Sequence, residues 1–181
     1  MSKEEAIAKL IQVFRQYGYE GTTLAKLSKA TGLGKASLYH YFPGGKAEMG
    51  EAVLEYANNW FQTTVLKPLK SDGQPEARIM AMSQQINKFY SEGQETCLWS
   101  ILSVGEAQDL FNSQIQNSLI TWIDALTQVL IEAGIEAEQA RQKSEDAIIQ
   151  VQGALILTRV LNNNSPFKRT LAELPKTLLG K

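Results

Sequence analysis

Residues 22–49 carry the most informative pattern of the chain, TTLAKLSKATGLGKASLYHYFPGGKAEM. A threonine at position 22 or 23 is a suitable N-cap for a short helix, and Gly32 would end that helix because glycine readily adopts a positive φ. A second short helix is predicted over residues 35–42, and Pro43 followed by two glycines ends it. Two short helices joined by a tight glycine turn form the helix-turn-helix arrangement.

The second short helix has an apolar side and a side of hydrogen-bonding residues. Leu38 is expected to join Leu27 and Leu33 in a small core that fixes the angle between the two helices. The other side presents groups able to meet phosphates or base edges, namely Lys35, Ser37, Tyr39 and His40. The pattern alone leaves two alternatives open, DNA binding and an ordinary helical hairpin.

Charge favours an anionic partner for this segment. The 181-residue chain has 18 basic and 19 acidic residues, a net charge of -1. Residues 21–47 carry four lysines and no carboxylate, so this segment has a charge of +4 and the rest of the chain has a charge of -5. A basic segment on an otherwise acidic protein indicates one anionic partner surface, with a merely solvated face as the alternative.

Helical spacing continues on both sides of this segment. Apolar residues recur at intervals of three and four before it, ending at Gly18, and in longer stretches after it. Long helices are predicted to about Leu66, from Pro75, over 108–133 and over 137–161, with a short last one from Ser165. Because no alternating strand pattern competes, the predicted fold class is all-α with about nine helices.

The stretch Thr22–Met49 resembles the amino-terminal DNA-binding module of TetR/AcrR-type transcriptional regulators. The LYHYF core at residues 38–42, followed shortly by a lysine that starts the next helix, is typical of that family. The resemblance spans about residues 3–56; beyond them only helix lengths and order match. The one-residue-longer join, Phe42-Pro-Gly-Gly-Lys, is similar to the LmrA and YxaF subgroup, whereas Gly34 and Gly45 depart from the family's polar helix caps.

The resemblance implies a division of the chain and a set of DNA contacts. Residues 1–55 would form a three-helix DNA-binding domain, and residues 56–181 a larger helical domain for effector binding and dimerisation. Tyr39 and Lys46 would contact phosphates, and Lys35 and Ser37 would read bases. The implied DNA face consists of Thr23, Lys35, Ser37, Tyr39, His40 and Lys46.

Several chemistries lack the residues they require. His40 is the only histidine and Cys97 the only cysteine, so no histidine metal site, disulfide or nucleophile–base pair is expected. We therefore expect no cofactor, no metal and no enzymatic activity. The chain has no long uncharged apolar stretch and no signal peptide, which predicts a cytoplasmic protein without membrane association.

Large apolar residues are abundant after residue 56. Core packing accounts for most of them, but helical bundles also hold ligand cavities, and the resemblance implies a small-molecule pocket. Few ionic groups are available there, which favours a hydrophobic or aromatic effector. The pocket candidates are Trp60, Phe89, Tyr90, Trp99 and Trp122.

The helix that ends near Leu161 is apolar on two sides. One side, with Val151 and Leu155, is assigned to the core; the other needs a partner, and a second copy of the chain fits that need. The candidate residues of this homodimer interface are Ile149, Gly153, Ile156 and Val160, together with Phe167 of the last helix.

These patterns predict a homodimeric, ligand-responsive transcriptional regulator, a repressor that a small hydrophobic effector releases from operator DNA. Two alternatives remain. One is a helical protein-interaction module that keeps the motif without binding DNA. The other is an all-α enzyme acting on a hydrophobic small molecule.

Overall fold

The computed structural model describes residues 1–180, and these residues contain helices and turns but no strand. The predicted all-α class is confirmed. A π-helical turn at Phe61–Val65 and 3-10 turns at Lys67–Lys70 and Ser91–Gly93 supplement the α-helices. These are α1 (Lys3–Gly21), α2 (Leu24–Thr31), α3 (Lys35–Tyr41), α4 (Gly45–Trp60), α5 (Pro75–Phe89), α6 (Leu98–Ile101), α7 (Glu106–Glu132), α8 (Ala137–Leu161) and α9 (Ser165–Leu179).

The chain packs as two compact units. The amino-terminal unit comprises Met1–Asn59 and Cys97–Gln116, and the carboxy-terminal unit comprises Trp60–Thr96 and the described residues from Asn117 onward. Packing therefore assigns α6 and the first part of α7 to the amino-terminal unit. The functional division into residues 1–55 and 56–181 stays a prediction.

Helix α1 begins at the expected cap and runs past the expected end. The Ser2 hydroxyl accepts the Glu5 N–H at 3.1 Å, and the Glu5 carboxylate accepts the Ser2 N–H at 2.7 Å. The helix was predicted to end before Gly18, but it continues to Gly21 across a kink where Gly18 has φ 67°. The Thr22 hydroxyl donates to the Gly18 carbonyl, which gives the kinked turn a hydrogen bond of its own.

Helices α2 and α3 are joined by the turn that the glycine predicts. Gly32 has φ 75° and ψ 7°, the left-handed conformation that glycine adopts at no steric cost. The Ser28 hydroxyl donates to the Leu33 carbonyl, and the Thr31 hydroxyl donates to the Leu27 carbonyl at 2.8 Å. These local bonds fix the angle at which α3 leaves α2.

The fourth helix is shorter than predicted. Its regular part ends at Trp60, and the chain continues as the π-helical turn Phe61–Val65 instead of reaching Leu66 as one α-helix. Helix α9 packs on both α5 and α8, and it contains Pro175 in its interior. Among residues 1–180, no helix combines the length and hydropathy that a membrane-spanning segment requires.

Candidate nucleic-acid interface and ligand-binding region

Helix α3 buries one side and exposes the other. Leu38 is fully buried, as is Phe42 at the helix end, and both belong to the core of the amino-terminal unit. The predicted contact residues of this helix are all exposed, and the Tyr39 side chain is 44 % exposed. The solvent-exposed side of α3 therefore carries all four predicted residues, namely Lys35, Ser37, Tyr39 and His40.

The start of α4 holds the Tyr39 ring. Gly45 has φ 68°, and a Cβ atom there would lie 3.4 Å from Cε1 of Tyr39, so the ring packs on bare backbone. The Gly44 N–H donates to the Glu48 carboxylate at 2.7 Å, which caps the helix from within. The sequence departs from the family's polar cap at Gly45, and the positive φ gives glycine a structural reason there.

Lys46 follows Gly45 in α4, and its side chain is oriented by the end of α1. Its Nζ donates to the Tyr19 carbonyl at 3.1 Å and lies 4.0 Å from the centroid of the Tyr19 ring. Lys26 repeats the arrangement, with Nζ 2.6 Å from the Gly21 carbonyl and 3.8 Å from the Tyr17 ring. An ammonium group has three N–H donors, so one backbone contact leaves Lys46 able to bind an anion.

Two further residues at this surface have separate roles. Thr23 is exposed and caps α2, because its hydroxyl accepts the Lys26 N–H at 3.3 Å. Ala36 is exposed on α3 beside Ser37 and lines a shallow depression with Leu33. Sequence reasoning missed Ala36 because it searched for hydrogen-bonding residues only, although a methyl group can contact the methyl of thymine.

Most of the predicted pocket residues pack against one another. Trp60 stacks on Phe89 at 4.9 Å between centroids, and Phe89 meets Tyr90 edge to face, also at 4.9 Å. Phe61 packs against Trp122 at 5.0 Å. We call these five residues the aromatic cluster. Tyr90 and Trp122 are buried, so the cluster forms part of the core of the carboxy-terminal unit.

Trp99, the fifth candidate, belongs to the amino-terminal unit. Its indole N–H donates to the Asn58 side-chain oxygen at 2.7 Å, and both residues are buried. The structure therefore assigns Trp99 to a hydrogen-bonded core contact and does not group it with the aromatic cluster.

An open groove lies between α5 and α9 in the carboxy-terminal unit. Its volume is about 570 Å³, within the usual range for small-molecule sites. None of the five predicted pocket residues lines it. Sequence reasoning missed it because its walls come from two helices distant in the chain. Its lining is Met80, Ser83, Gln84, Asn87, Lys88, Glu92, Lys168, Leu171, Ala172 and Pro175.

Helix α8 has the two apolar sides that its sequence predicts. Val151 and Leu155 are buried, whereas Ile149, Ile156 and Val160 are 67 %, 55 % and 73 % exposed. We call the second side the exposed face of α8; it also contains Gly153, Leu157 and Leu161. Phe167 does not share this exposure. It is fully buried 6.1 Å from the Tyr90 ring, so its inclusion in the interface was wrong.

Two carboxylates have lowered pKa values. Hydrogen bonds from the backbone N–H groups of Glu20 itself and of Glu106 lower the pKa of Glu20 below its ordinary 4.5. The Arg78 guanidinium, which donates to Glu132, lowers the pKa of that carboxyl. Burial, followed by the Glu106 carboxylate, raises the pKa of Tyr19, so its phenol stays neutral beside Lys46.

The all-α fold and the exposed side of α3 define the class of helix-turn-helix DNA-binding proteins. The family described as "Bacterial regulatory proteins, tetR family" matches residues 6–53. The family "Transcriptional regulator LmrA/YxaF-like, C-terminal domain" matches residues 75–173. The chain therefore belongs to the TetR family of transcriptional regulators, with an LmrA/YxaF-like carboxy-terminal domain. These proteins are regulators and not enzymes, and they bind operator DNA as dimers.

Individual relatives are similar over nearly their whole length. The chain is 21 % identical to the HTH-type transcriptional regulator LmrA of Bacillus subtilis, covering 98 % of this chain and 96 % of that one. It is also 21 % identical to the HTH-type transcriptional repressor DhaR of Mycobacterium sp., covering 98 % and 92 %. A TetR transcriptional regulator from Legionella pneumophila has the same fold, with a TM-score of 0.85, 19 % identity and coverage of 98 % and 97 %.

Proposed function

We propose that this regulator is a homodimeric repressor, and that a small, largely apolar effector releases it from a pseudo-palindromic operator. The observation that carries the proposal is the pairing of two exposed surfaces, the polar side of α3 and the apolar exposed face of α8. A polar helix side with a basic margin suits a DNA groove, and a large apolar helix face suits a second subunit.

The DNA contacts divide into two kinds. Tyr39 of α3, which packs on Gly45, and Lys46, the next residue of α4, would clamp a phosphate with a phenol and a cation. Lys35 and Ser37, on the first turn of α3, would read base edges in the major groove. His40 and Thr23 are both exposed and would contact the DNA backbone.

The exposed face of α8 would form the dimer interface. Ile149, Ile156 and Val160 are exposed although they are among the most apolar residue types, and Gly153 lets a partner helix approach closely. Burial of such a face stabilises association by roughly 25 cal/mol per Å² before ordering costs. A two-fold dimer presents its two α3 helices to half-sites about 34–36 Å apart, or a multiple of that distance.

Release would follow from a shift of population. An effector that binds more tightly to the conformation with a mismatched half-site spacing weakens DNA binding in proportion to that preference. The name of DhaR, a repressor similar over nearly the whole chain, supports repression over activation. In this proposal residues 1–55 bind DNA, residues 56–181 hold the effector and the partner, and the protein works in the cytoplasm.

Fluorescence anisotropy tests the DNA-binding part. A duplex selected from a random pool by the purified protein is titrated at two salt concentrations, beside a scrambled duplex of the same composition. We expect the selected duplex to bind at least about 10³-fold more tightly at physiological salt. Equal affinity for both duplexes would favour the protein-interaction alternative.

A further inference from the structure

We propose that the groove between α5 and α9 binds a small, uncharged, largely apolar molecule that donates hydrogen bonds. We also propose that this groove is the effector site, a step that rests on the proposed function. The binding itself does not depend on that step, because it follows from the groove alone. The groove lies wholly in the carboxy-terminal unit.

Two hydrogen-bonding side chains of α5 are shielded in this groove without a partner. Ser83 is 5 % exposed, and its hydroxyl has no hydrogen-bond partner within residues 1–180. The side-chain oxygen of Asn87, one turn later, is also shielded and has none in the same part of the chain. Buried polar groups are nearly always paired, so two on one helix side require an explanation, and a missing ligand provides one.

Helix α9 supplies a third acceptor on the opposite wall. Pro175 lies inside the helix and has no N–H, so the Leu171 carbonyl loses the hydrogen bond that residue i+4 normally donates. Leu171 and Pro175 both line the groove. The Asn87 oxygen and the Leu171 carbonyl can only accept, so the ligand must bring hydroxyl or N–H donors.

The other residues that line the groove favour a ligand whose body is apolar and uncharged. Met80 is 48 % exposed, and its flexible thioether lies opposite Leu171, Ala172 and Pro175 of α9. Of the two lysines in the lining, Lys168 is neutralised by Glu92, whose carboxylate lies 2.6 Å from its Nζ, and Lys88 is exposed to solvent. A charged ligand would have to compete with this ion pair, whereas an apolar ligand leaves it intact.

Matched pairs of probes test the requirement for a donor. We would titrate the full-length protein by calorimetry with 2-naphthol, 4-hydroxybiphenyl and 9-phenanthrol, each beside its methyl ether. The ether keeps the apolar body and removes the donor. For at least one pair we expect the hydroxyl compound to bind about tenfold more tightly, the effect of one hydrogen bond to a shielded acceptor.

Variants assign this binding to the groove. Ala172→Trp should fill the groove and abolish binding, whereas Ala137→Trp, the same change at an exposed position at the start of α8, should leave it unchanged. Asn87→Leu should weaken binding of the hydroxyl compound about tenfold, so that this compound binds no better than its methyl ether. The same substitution should keep or raise Tm, because it removes an unpaired polar atom; a purely structural asparagine would lower Tm when replaced.

Three results would overturn the proposal. They are equal binding of hydroxyl compound and ether in every pair, retained binding in Ala172→Trp, and a lower Tm for Asn87→Leu. If retained binding in Ala172→Trp is accompanied by dissociation into monomers, the groove is the contact surface of a second subunit and not a ligand site. Release of the selected duplex is measured separately, so binding without release contradicts the ligand response in the proposed function and not the ligand site.

Discussion

Lys46 is held by its neighbours before any DNA is present. Its ammonium group rests on the Tyr19 carbonyl and ring, and Tyr39 packs on the adjacent Gly45. A lysine held in this way loses less side-chain entropy when it binds a phosphate than a freely rotating one. The exposed Lys35 has no such support in the hydrogen bonds described above. The two lysines should therefore differ in what they contribute to binding.

Removing the Lys46 side chain should weaken binding to all DNA sequences alike. Lys46→Ala loses one phosphate contact in each subunit, so the slope of log K against log salt should decrease by about 0.9 per subunit. Anisotropy titrations of selected and scrambled duplexes over a series of salt concentrations measure both quantities. Lys70→Ala, which removes the same charge from an exposed site in the carboxy-terminal unit, is the control. An unchanged slope would rule out the phosphate contact.

Substitutions on the first turn of α3 should instead change base preference. Ser37→Ala and Lys35→Ala each remove a group expected to meet a base edge, and a good contact of that kind discriminates by about 1–3 kcal/mol. Selection of duplexes from a random pool by each variant, followed by sequencing, measures the change. The selected half-site should relax at one or two positions. If both variants select the same site as the unaltered protein, base readout lies elsewhere on the surface.

For single residues, the sequence predicted which side chains are exposed better than it predicted how those side chains are oriented. Leu38 and Phe42 mark the buried side of α3 by their spacing, and the polar residues between them had to face outward. The contacts of Lys46 with Tyr19 could not be predicted, because they join residues 27 positions apart. The unpaired side-chain atoms of Ser83 and Asn87 could not be predicted either, because a polar residue in a helix is normally solvated or hydrogen-bonded.

Among the elements, the start of α7 depends on a residue of α1. The Glu20 carboxylate accepts the Glu106 N–H at 2.7 Å and so caps a helix that begins 86 residues later. Gly105 has φ 64°, a conformation that favours glycine, and a Cβ atom there would displace this carboxylate. A carboxylate at a helix amino terminus also complements the helix dipole. This cap ties α7 to the helix that orients Lys46.

Replacing this carboxylate should lower stability in a pH-dependent way. The folded-state pKa of Glu20 lies below its ordinary value of 4.5, so its contribution is present above about pH 4.5 and is lost as the pH falls through the folded-state value. Glu20→Gln should therefore have a lower Tm than the unaltered protein at pH 7, with a smaller difference below pH 4.5. Circular dichroism melts at several pH values measure this. A difference that is constant with pH would exclude a role for the charge.

Helix α8 illustrates what periodicity can and cannot assign. Its two apolar sides were correctly separated, because residues three and four apart share a side in any α-helix. Phe167 was misassigned because it shares the apolar side of α9 with Leu171 and Leu174, and the structure buries that side in the core. In the structure it packs beside Gly93, where a Cβ atom would come within 3.0 Å of its ring.

A carboxylate introduced on the exposed face of α8 should have a different effect from one introduced on its buried side. Ile156→Glu places a carboxylate on the exposed face and should give a folded monomer, whereas Leu155→Glu buries one in the core and should unfold the chain at a cost of several kcal/mol. Light scattering reports subunit mass, and circular dichroism reports folding. Gln150→Glu, an exposed polar position of the same helix, is the control. A folded dimer in Ile156→Glu would move the interface to another surface.

For the whole molecule, the chain passes between the two packing units at three points: after Asn59, after Thr96 and within α7. The residues of α7 before Asn117 belong to the amino-terminal unit and those after to the carboxy-terminal unit. This helix begins at the Glu20 cap, and Trp122 of the aromatic cluster lies further along it. Under the proposed function, α7 gives a ligand of the carboxy-terminal unit one continuous helix that reaches into the amino-terminal unit.

Effector and operator should weaken each other by the same factor. Binding free energies are reciprocal, so an effector that lowers operator affinity about tenfold must itself bind about tenfold more weakly to the operator complex, a coupling of about 1.4 kcal/mol. The hydroxylated compound that binds the groove is titrated against the free protein and against the protein saturated with the selected duplex. Fluorescence of Trp60 and Trp122 reports binding, since both belong to the carboxy-terminal unit. The scrambled duplex is the control and should leave the effector affinity unchanged. Equal effector affinity with and without operator would mean that ligand binding and DNA binding are uncoupled, whatever the affinity of each.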